Sequence, residues 1–158
     1  MHRTARLLTV GDPALESVAS LMEEMQRHYN VACPPRAKLM KGLKDRPANA
    51  EMLIGEKHDR VIAFCAFTTV YPGPGLQAGI FLKELYVKQD CRGEGIGRHL
   101  MQELAEIAVQ RGLARIDWTA DANDLRLLSF YDGLGAARRP EKLFYRLDGD
   151  ALSALIRD

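Results

Sequence analysis

The order of elements along the chain predicts a mixed α/β fold, and three observations carry that prediction. An apolar run over residues 79–87 passes through a glycine-rich turn into a helix whose Ile96, Leu100, Leu104 and Ile107 recur at steps of four, four and three. Two earlier runs, 50–56 and 61–70, flank the polar Lys57-His58-Asp59-Arg60 and read as a hairpin. After the helix, Ala114, Ile116, Trp118 and Ala120 alternate with Arg115, Asp117 and Thr119 as a further strand, so the helix is a crossover between two parallel strands.

The elements follow in order. Residues 3–10 form a first strand, ended by Gly11-Asp12-Pro13, where Asp12 suits an N-cap and Pro13 the first helical position. Leu15, Val18, Met22, Met25 and Tyr29 then step by three and four, giving a helix to about His28. Cys33-Pro34-Pro35 breaks it, because a residue before proline is pushed toward extended geometry, and a shorter helix covers 36–44. The run Val61 to Phe67 is apolar without alternation, as a central strand covered on both faces would be. Gly112 closes the helix that ends near Gln110. Asp121 to Asp124 caps a helix carrying Leu125, Leu128, Phe130, Tyr131 and Leu134; a last strand is expected at 142–147, and a helical turn or two within 151–156.

Length and composition narrow the function. A chain of 158 residues and 17.7 kDa is expected to form a single domain over 1–158. A net charge of +1 gives no general attraction for nucleic acid or membrane, so any basic site must be local. No apolar run approaches about 18 residues and the N-terminus lacks a signal-peptide core, which makes a cytoplasmic address the expectation. Cys33, Cys65 and Cys91 have no metal-ligand spacing, and no metal is expected.

The informative stretch is Val87 to Leu100. Its turn, Arg92-Gly93-Glu94-Gly95-Ile96-Gly97-Arg98, puts glycines where the backbone can approach a ligand and opens a helix whose first amides point into the bend. The helix dipole and two arginines add to this, so the turn is a cradle for phosphate or pyrophosphate. It is not a P-loop, since no Gly-Lys-Ser/Thr follows, and a Rossmann fingerprint would need glycine at 98, where arginine stands.

Arg92-x-x-Gly95-x-Gly97 after an apolar strand resembles the acetyl-CoA loop of the GNAT N-acetyltransferase superfamily. Ser129-Phe130-Tyr131-Asp132-Gly133-Leu134-Gly135-Ala136 resembles that family's second signature. The resemblance implies a mostly antiparallel central sheet flanked by helices, with acetyl-CoA as co-substrate and no metal. It implies that backbone groups of Leu85, Tyr86 and Val87 pair with the pantetheine arm. The pyrophosphate then falls to the stretch Arg92, Gly93, Gly95, Ile96, Gly97 and Arg98, and Tyr131 is the general acid. An asparagine usually stands seven residues before that tyrosine and touches pantetheine. Here Asn123 stands eight before and Asp124 seven, so Asn123 is shifted by one or the contact is lost.

Within the superfamily, Ile80 to Val87, Phe130-Tyr131 and Phe144-Tyr145-Arg146-Leu147 resemble the diamine and thialysine acetyltransferases. Those relatives carry an acidic pair where this chain has Lys83-Glu84. Losing the first acid removes an attraction for a polycation and leaves Glu84 as the candidate base, acting through water. Strand alternation puts Glu84 on one face with Leu82 and Tyr86. Tyr29, Arg36 and Lys83 are the candidate acceptor-binding residues; the two cations suit an amine that also bears a carboxylate. The expected function is acetyl transfer to a primary amine of a small molecule, amino acid-like or diamine, by direct attack in a ternary complex. The partners are that amine and, as in resembling proteins, a second copy in a homodimer, without nucleic acid or membrane. The other classes are a non-catalytic acyl-CoA sensor and a protein N-terminal or lysine acetyltransferase.

Overall fold

The computed structural model describes residues 3–156. By internal contacts the chain divides into two compact units, one ending at Thr119 and one beginning at Ala120. The first holds a five-stranded sheet in the order β1-β2-β3-β4-β5: β1 (Arg3–Leu7), β2 (Ala50–Lys57), β3 (Arg60–Val70), β4 (Gly79–Val87) and β5 (Ile116–Asp117). Neighbours among the first four are antiparallel and β4 pairs with β5 in parallel, so the fold is the mixed, mostly antiparallel α/β class expected. His58 and Asp59, both at positive φ, make the two-residue turn between β2 and β3, a geometry matched to strand twist. β3 is the middle strand, and Ile62 to Cys65 and Phe67 are all buried.

Helices cover both faces of this sheet. α1 (Leu15–His28) and α2 (Arg36–Lys44) lie on one side, where Val18, Ala19, Leu21, Met25 and Leu43 pack against Met52, Ile54, Phe64 and Tyr86. The continuous helix starts at Leu15 rather than at Pro13, and its N-cap is Ala14, without a side-chain cap; Asp12 Oδ1 instead accepts the Ala14 N–H at 2.9 Å in the turn that precedes the helix. Arg6 donates to the same carboxylate and holds its pKa well below the usual range. On the other face α3 (Ile96–Gln110) buries Ile96, Leu100 and Leu104, each at 4% exposure or less. Side chains of that size contribute about 1.5–3 kcal/mol apiece when fully buried. α3 packs over Gly55, where a Cβ would lie in ordinary van der Waals contact with Leu100 at 3.6 Å and Ile96 at 3.8 Å.

The second unit holds α4 (Leu125–Asp132) and α5 (Gly149–Ala154). Asp124 caps α4 by accepting the Leu127 N–H at 3.0 Å. A bidentate pair from Arg138 to Asp132, at 3.0 and 2.6 Å, fastens the turn after α4, where Gly135 has φ +85.

Three expectations are corrected. The segment 142–147 forms no strand; Leu143, Phe144 and Tyr145 are 76%, 64% and 85% exposed, and a short apolar and aromatic run becomes a strand only where a neighbour supplies the ladder. β5 is two residues long rather than seven. Glu84 does not share a face with Leu82, because Ala66 pairs with Glu84 while Phe67 pairs with Leu82, leaving Lys83 as the extra residue of a β-bulge. Residues directly opposite share a face, and Phe64 and Ala66 belong to the α1 side. The bulge therefore turns Glu84, with Tyr86, toward α1 and turns Leu82 away.

Candidate active site

The site begins where β4 loses a neighbour. β5 pairs with β4 only at Ile80 and Phe81, so among the described residues the stretch from Leu82 to Val87 has no strand along that edge. An unpaired edge of backbone N–H and C=O groups is a template for an extended ligand. Leu85, Tyr86 and Val87 lie on it, although the Val87 carbonyl already accepts a hydrogen bond from Arg92 Nε at 2.9 Å.

A 3-10 turn over Gln89–Cys91 leads from this edge to the glycines. Gly93 and Gly95 both have φ +80, the left-handed region that side chains rarely adopt, and a Cβ at Gly93 would meet no protein atom within 4 Å. Gly95 is the N-cap of α3; it offers no capping side chain and no acid stands in the first turn. Gly97 lies in that turn, and the first hydrogen bond of the helix runs from His99 N to Gly95 O at 3.0 Å. The first-turn amides are left without intrahelical acceptors, with the positive end of the helix dipole behind them. Lys57 Nζ bonds Glu94 at 2.6 Å, which fixes the loop tip and neutralises its acid. Open space over Gly93 and an uncapped helix start fit a pyrophosphate. The amide of Arg92 itself closes the 3-10 turn on Gln89 O at 3.4 Å, so that amide is engaged within the protein.

Arg92 is placed by its surroundings. Its guanidinium lies 5.1 Å from the centre of the Tyr86 ring, within cation–π range, and NH1 is 3.4 Å from His28 Nε2. Tyr86, at 1% exposure, donates its O–H to Glu24 Oε1 at 2.9 Å. Burial and then Glu24 push that phenol up to about 12, so it stays a donor. The same Glu24 oxygen accepts the Gln89 N–H at 3.0 Å. Glu24 was not singled out from sequence. The readable signal was a tyrosine among aliphatic residues of a core strand, whose buried hydroxyl requires a partner.

The candidate chemical groups sit as follows. Glu84 is half-buried, and burial raises its pKa above the ordinary carboxylate value; Lys83, 3.9 Å away and mostly exposed, opposes the rise. Tyr131 is on α4, its ring 5.2 Å from that of Phe130. Asn123 is exposed and its N–H bonds Asp121 Oδ1 at 2.8 Å, while Asp124, at the seven-residue position, is occupied as the helix cap. Tyr29 terminates α1, 51% exposed, edge-on to His28 with ring centres 4.9 Å apart.

Arg36 departs from expectation. NH1 donates to Ser20 Oγ and Glu23 Oε2, and NH2 to Glu16 O and Glu16 Oε2, at 2.7 to 3.1 Å. Four donated bonds clasp the start of α2 to α1, and a guanidinium so engaged is a helix clasp rather than a carboxylate receptor. Cys65 is buried, which pushes its thiol up to about 12, and burial followed by Asp90 raises Cys91; neither is a ready nucleophile.

Comparison with known proteins settles the family. The model of the acetyltransferase (GNAT) family matches residues 17–136. This chain belongs to that family. Among curated relatives it is 29% identical to the L-ornithine N5-acetyltransferase of Arabidopsis thaliana over 110 residues, 69% of this chain and 48% of that protein. It is 36% identical to the thialysine N-epsilon-acetyltransferase of Bos taurus over 84 residues, 48% of this chain and 46% of that one. The chain thus spans about half the length of these relatives. Among solved structures, an integron cassette protein from the mobile metagenome of V. cholerae superposes with a TM-score of 0.88 at 27% identity, covering 100% of this chain and 99% of that one. No helix among the described residues is long and apolar enough to cross a membrane.

Proposed function

We propose that the chain is an acetyl-CoA-dependent N-acetyltransferase acting on the primary amine of a small, amino acid-like molecule. The observation that carries this is the unpaired end of β4 running into a glycine-lined, uncapped helix start, within a family of acetyltransferases. Bound there, acetyl-CoA supplies an activated acetyl thioester. The edge at Leu85 to Val87 holds the extended arm and the amides of 93–98 hold the pyrophosphate. We read 1–158 as one acetyltransferase domain, because the family's model runs without a break over residues 17–136.

An alkylamine has a pKa of about 10.4 and attacks a carbonyl only when neutral. Glu84, raised by burial, takes the ammonium proton through an ordered water. The amine nitrogen then bonds the acetyl carbon as the C–S bond breaks, and Tyr131 gives its phenolic proton to the departing sulfur. The nitrogen of the new amide releases its surplus proton to water, Glu84 returns its own to solvent, and the Tyr131 phenolate is reprotonated.

The acceptor class follows from charge. With Arg36 engaged by α1, the argument rests on Lys83, whose exposed ammonium repels a polycation and pairs with a carboxylate. Ornithine and thialysine, named for the two curated relatives, each combine a side-chain amine with a carboxylate. Measuring kcat/KM for ornithine, thialysine and spermidine in wild type and Lys83→Glu tests the assignment. The amino acids should lead in wild type, and Lys83→Glu should move the preference toward spermidine. A wild type that prefers spermidine, or a preference untouched by the substitution, contradicts it.

A further inference from the structure

Glu24 has no place in the chemistry above, yet one of its oxygens holds together three parts of the molecule. It sits in the third turn of α1, accepts the Tyr86 O–H at 2.9 Å and accepts the Gln89 N–H at 3.0 Å. The first bond ends on the strand that offers its edge to the ligand. The second ends on the first residue of the 3-10 turn leading to the cradle, a turn with no side-chain cap of its own. Arg92 then completes the path: its guanidinium lies over the Tyr86 ring, its Nε holds the Val87 carbonyl, and NH1 reaches toward His28 at the end of α1.

A carboxylate is an odd choice beside an anion cradle if only charge mattered, because it repels the ligand. What it supplies is a long, acceptor-only side chain whose one oxygen takes both donors and so bridges elements far apart in sequence. We propose that Glu24 is a positioning residue for acetyl-CoA: it fixes the Tyr86 ring and the Gln89 turn, and through them the Arg92 side chain and the approach to Gly93. This rests on residues 93–98 being the CoA cradle. It also makes the second half of α1, which ends in His28 and Tyr29, part of the CoA site rather than only a wall of the core.

Three substitutions separate positioning from charge and from packing. Glu24→Ala removes both acceptors. Glu24→Gln keeps a carbonyl oxygen able to accept both donors but loses the charge. Tyr86→Phe keeps the buried ring and loses the O–H. Acetyl-CoA affinity by calorimetry, KM and kcat at saturating acceptor, and thermal unfolding without ligand are measured for each. Positioning predicts that Glu24→Ala raises Kd and KM for acetyl-CoA on the order of 10-fold, the scale of one or two lost hydrogen bonds, with kcat at saturation little changed. Tyr86→Phe should weaken binding several-fold in the same direction, roughly one lost bond. Glu24→Gln should keep wild-type affinity.

If Glu24 acted only through its charge, Glu24→Ala and Glu24→Gln would both bind more tightly, and that overturns the proposal. A lower melting temperature with unchanged Kd in Glu24→Ala overturns it too, in favour of packing alone. Should Glu24→Ala fail to fold, Tyr86→Phe decides, and wild-type affinity there is the negative result. A wild type that binds no acetyl-CoA overturns the cradle and the proposal together, whereas a binding wild type with an unaffected Glu24→Ala overturns the proposal alone.

Discussion

Gly93→Ala gives a clean test of the cradle, because the molecule carries its own control. Gly93 has φ +80, and a methyl on its Cα would meet no protein atom within 4 Å; Gly112, at the far end of α3, has φ +68 and equally open space. A left-handed conformation costs an L-residue roughly 1–2 kcal/mol. For a chain of this size that lowers the melting temperature by about 2–8 °C. Both substitutions should show this drop, since neither methyl meets the protein. Only the Gly93 methyl enters the space expected to hold a pyrophosphate. Gly93→Ala should therefore raise the CoA Kd by about tenfold or more, near 1.4 kcal/mol, while Gly112→Ala binds as wild type. Calorimetric titration with CoA, alongside thermal unfolding of the free proteins, reads both quantities. Equal affinities in the two variants, or wild-type affinity in Gly93→Ala, would refute the placement of the ligand.

Further outcomes concern the chemical groups and stability. Tyr131→Phe should keep acetyl-CoA affinity and lower kcat on the order of 10²–10⁴-fold in an assay limited by chemistry; an unchanged kcat makes the tyrosine structural. Glu84→Gln should lower kcat and remove the acid limb of the pH–rate profile, a limb lying above the ordinary carboxylate range because burial raises this pKa. A raised carboxylate also costs stability once it ionises, so Glu84→Gln should melt higher than wild type above that pKa and lose the advantage below it. Asp12 has the opposite sign: its pKa is lowered by Arg6, so its stabilisation is complete above about pH 4 and fades as the pH falls through its folded-state pKa. Asp12→Ala, which strands the Ala14 N–H and leaves Arg6 with Glu56 alone, should cost about 1–3 kcal/mol by denaturant unfolding at neutral pH.

How far the chain can be read from sequence depends on the kind of information each element needs. Helical periodicity placed α1 and α3 because each buries one stripe, and the unbroken apolar run marked β3 because a middle strand has two covered faces. The positive φ values at Gly93 and Gly95 follow from local steric rules, so the tight turn before α3 was legible from its glycines. The rest depends on partners distant in sequence. The bulge at Lys83 is invisible to a period-two reading, yet it decides which face Glu84 takes. Arg36 had the right charge for a receptor, but two glutamates 13 and 20 residues earlier already hold it. Glu24 reads as a solvated helix acid until Tyr86 and Gln89, more than sixty residues on, arrive at its carboxylate. At 142–147 a short apolar and aromatic run found no ladder to join.

Initial velocities with acetyl-CoA and L-ornithine both varied, with the acetylated amine identified by mass spectrometry, test the central claim most directly. Release of one CoA thiol for each N-acetylated product, with double-reciprocal lines that converge, is the predicted result, since amine and thioester must occupy the site together. Bound CoA with no acetylated amine from ornithine, thialysine or spermidine would contradict it and make the chain a binding module, and parallel lines would replace direct attack with an acetylated enzyme.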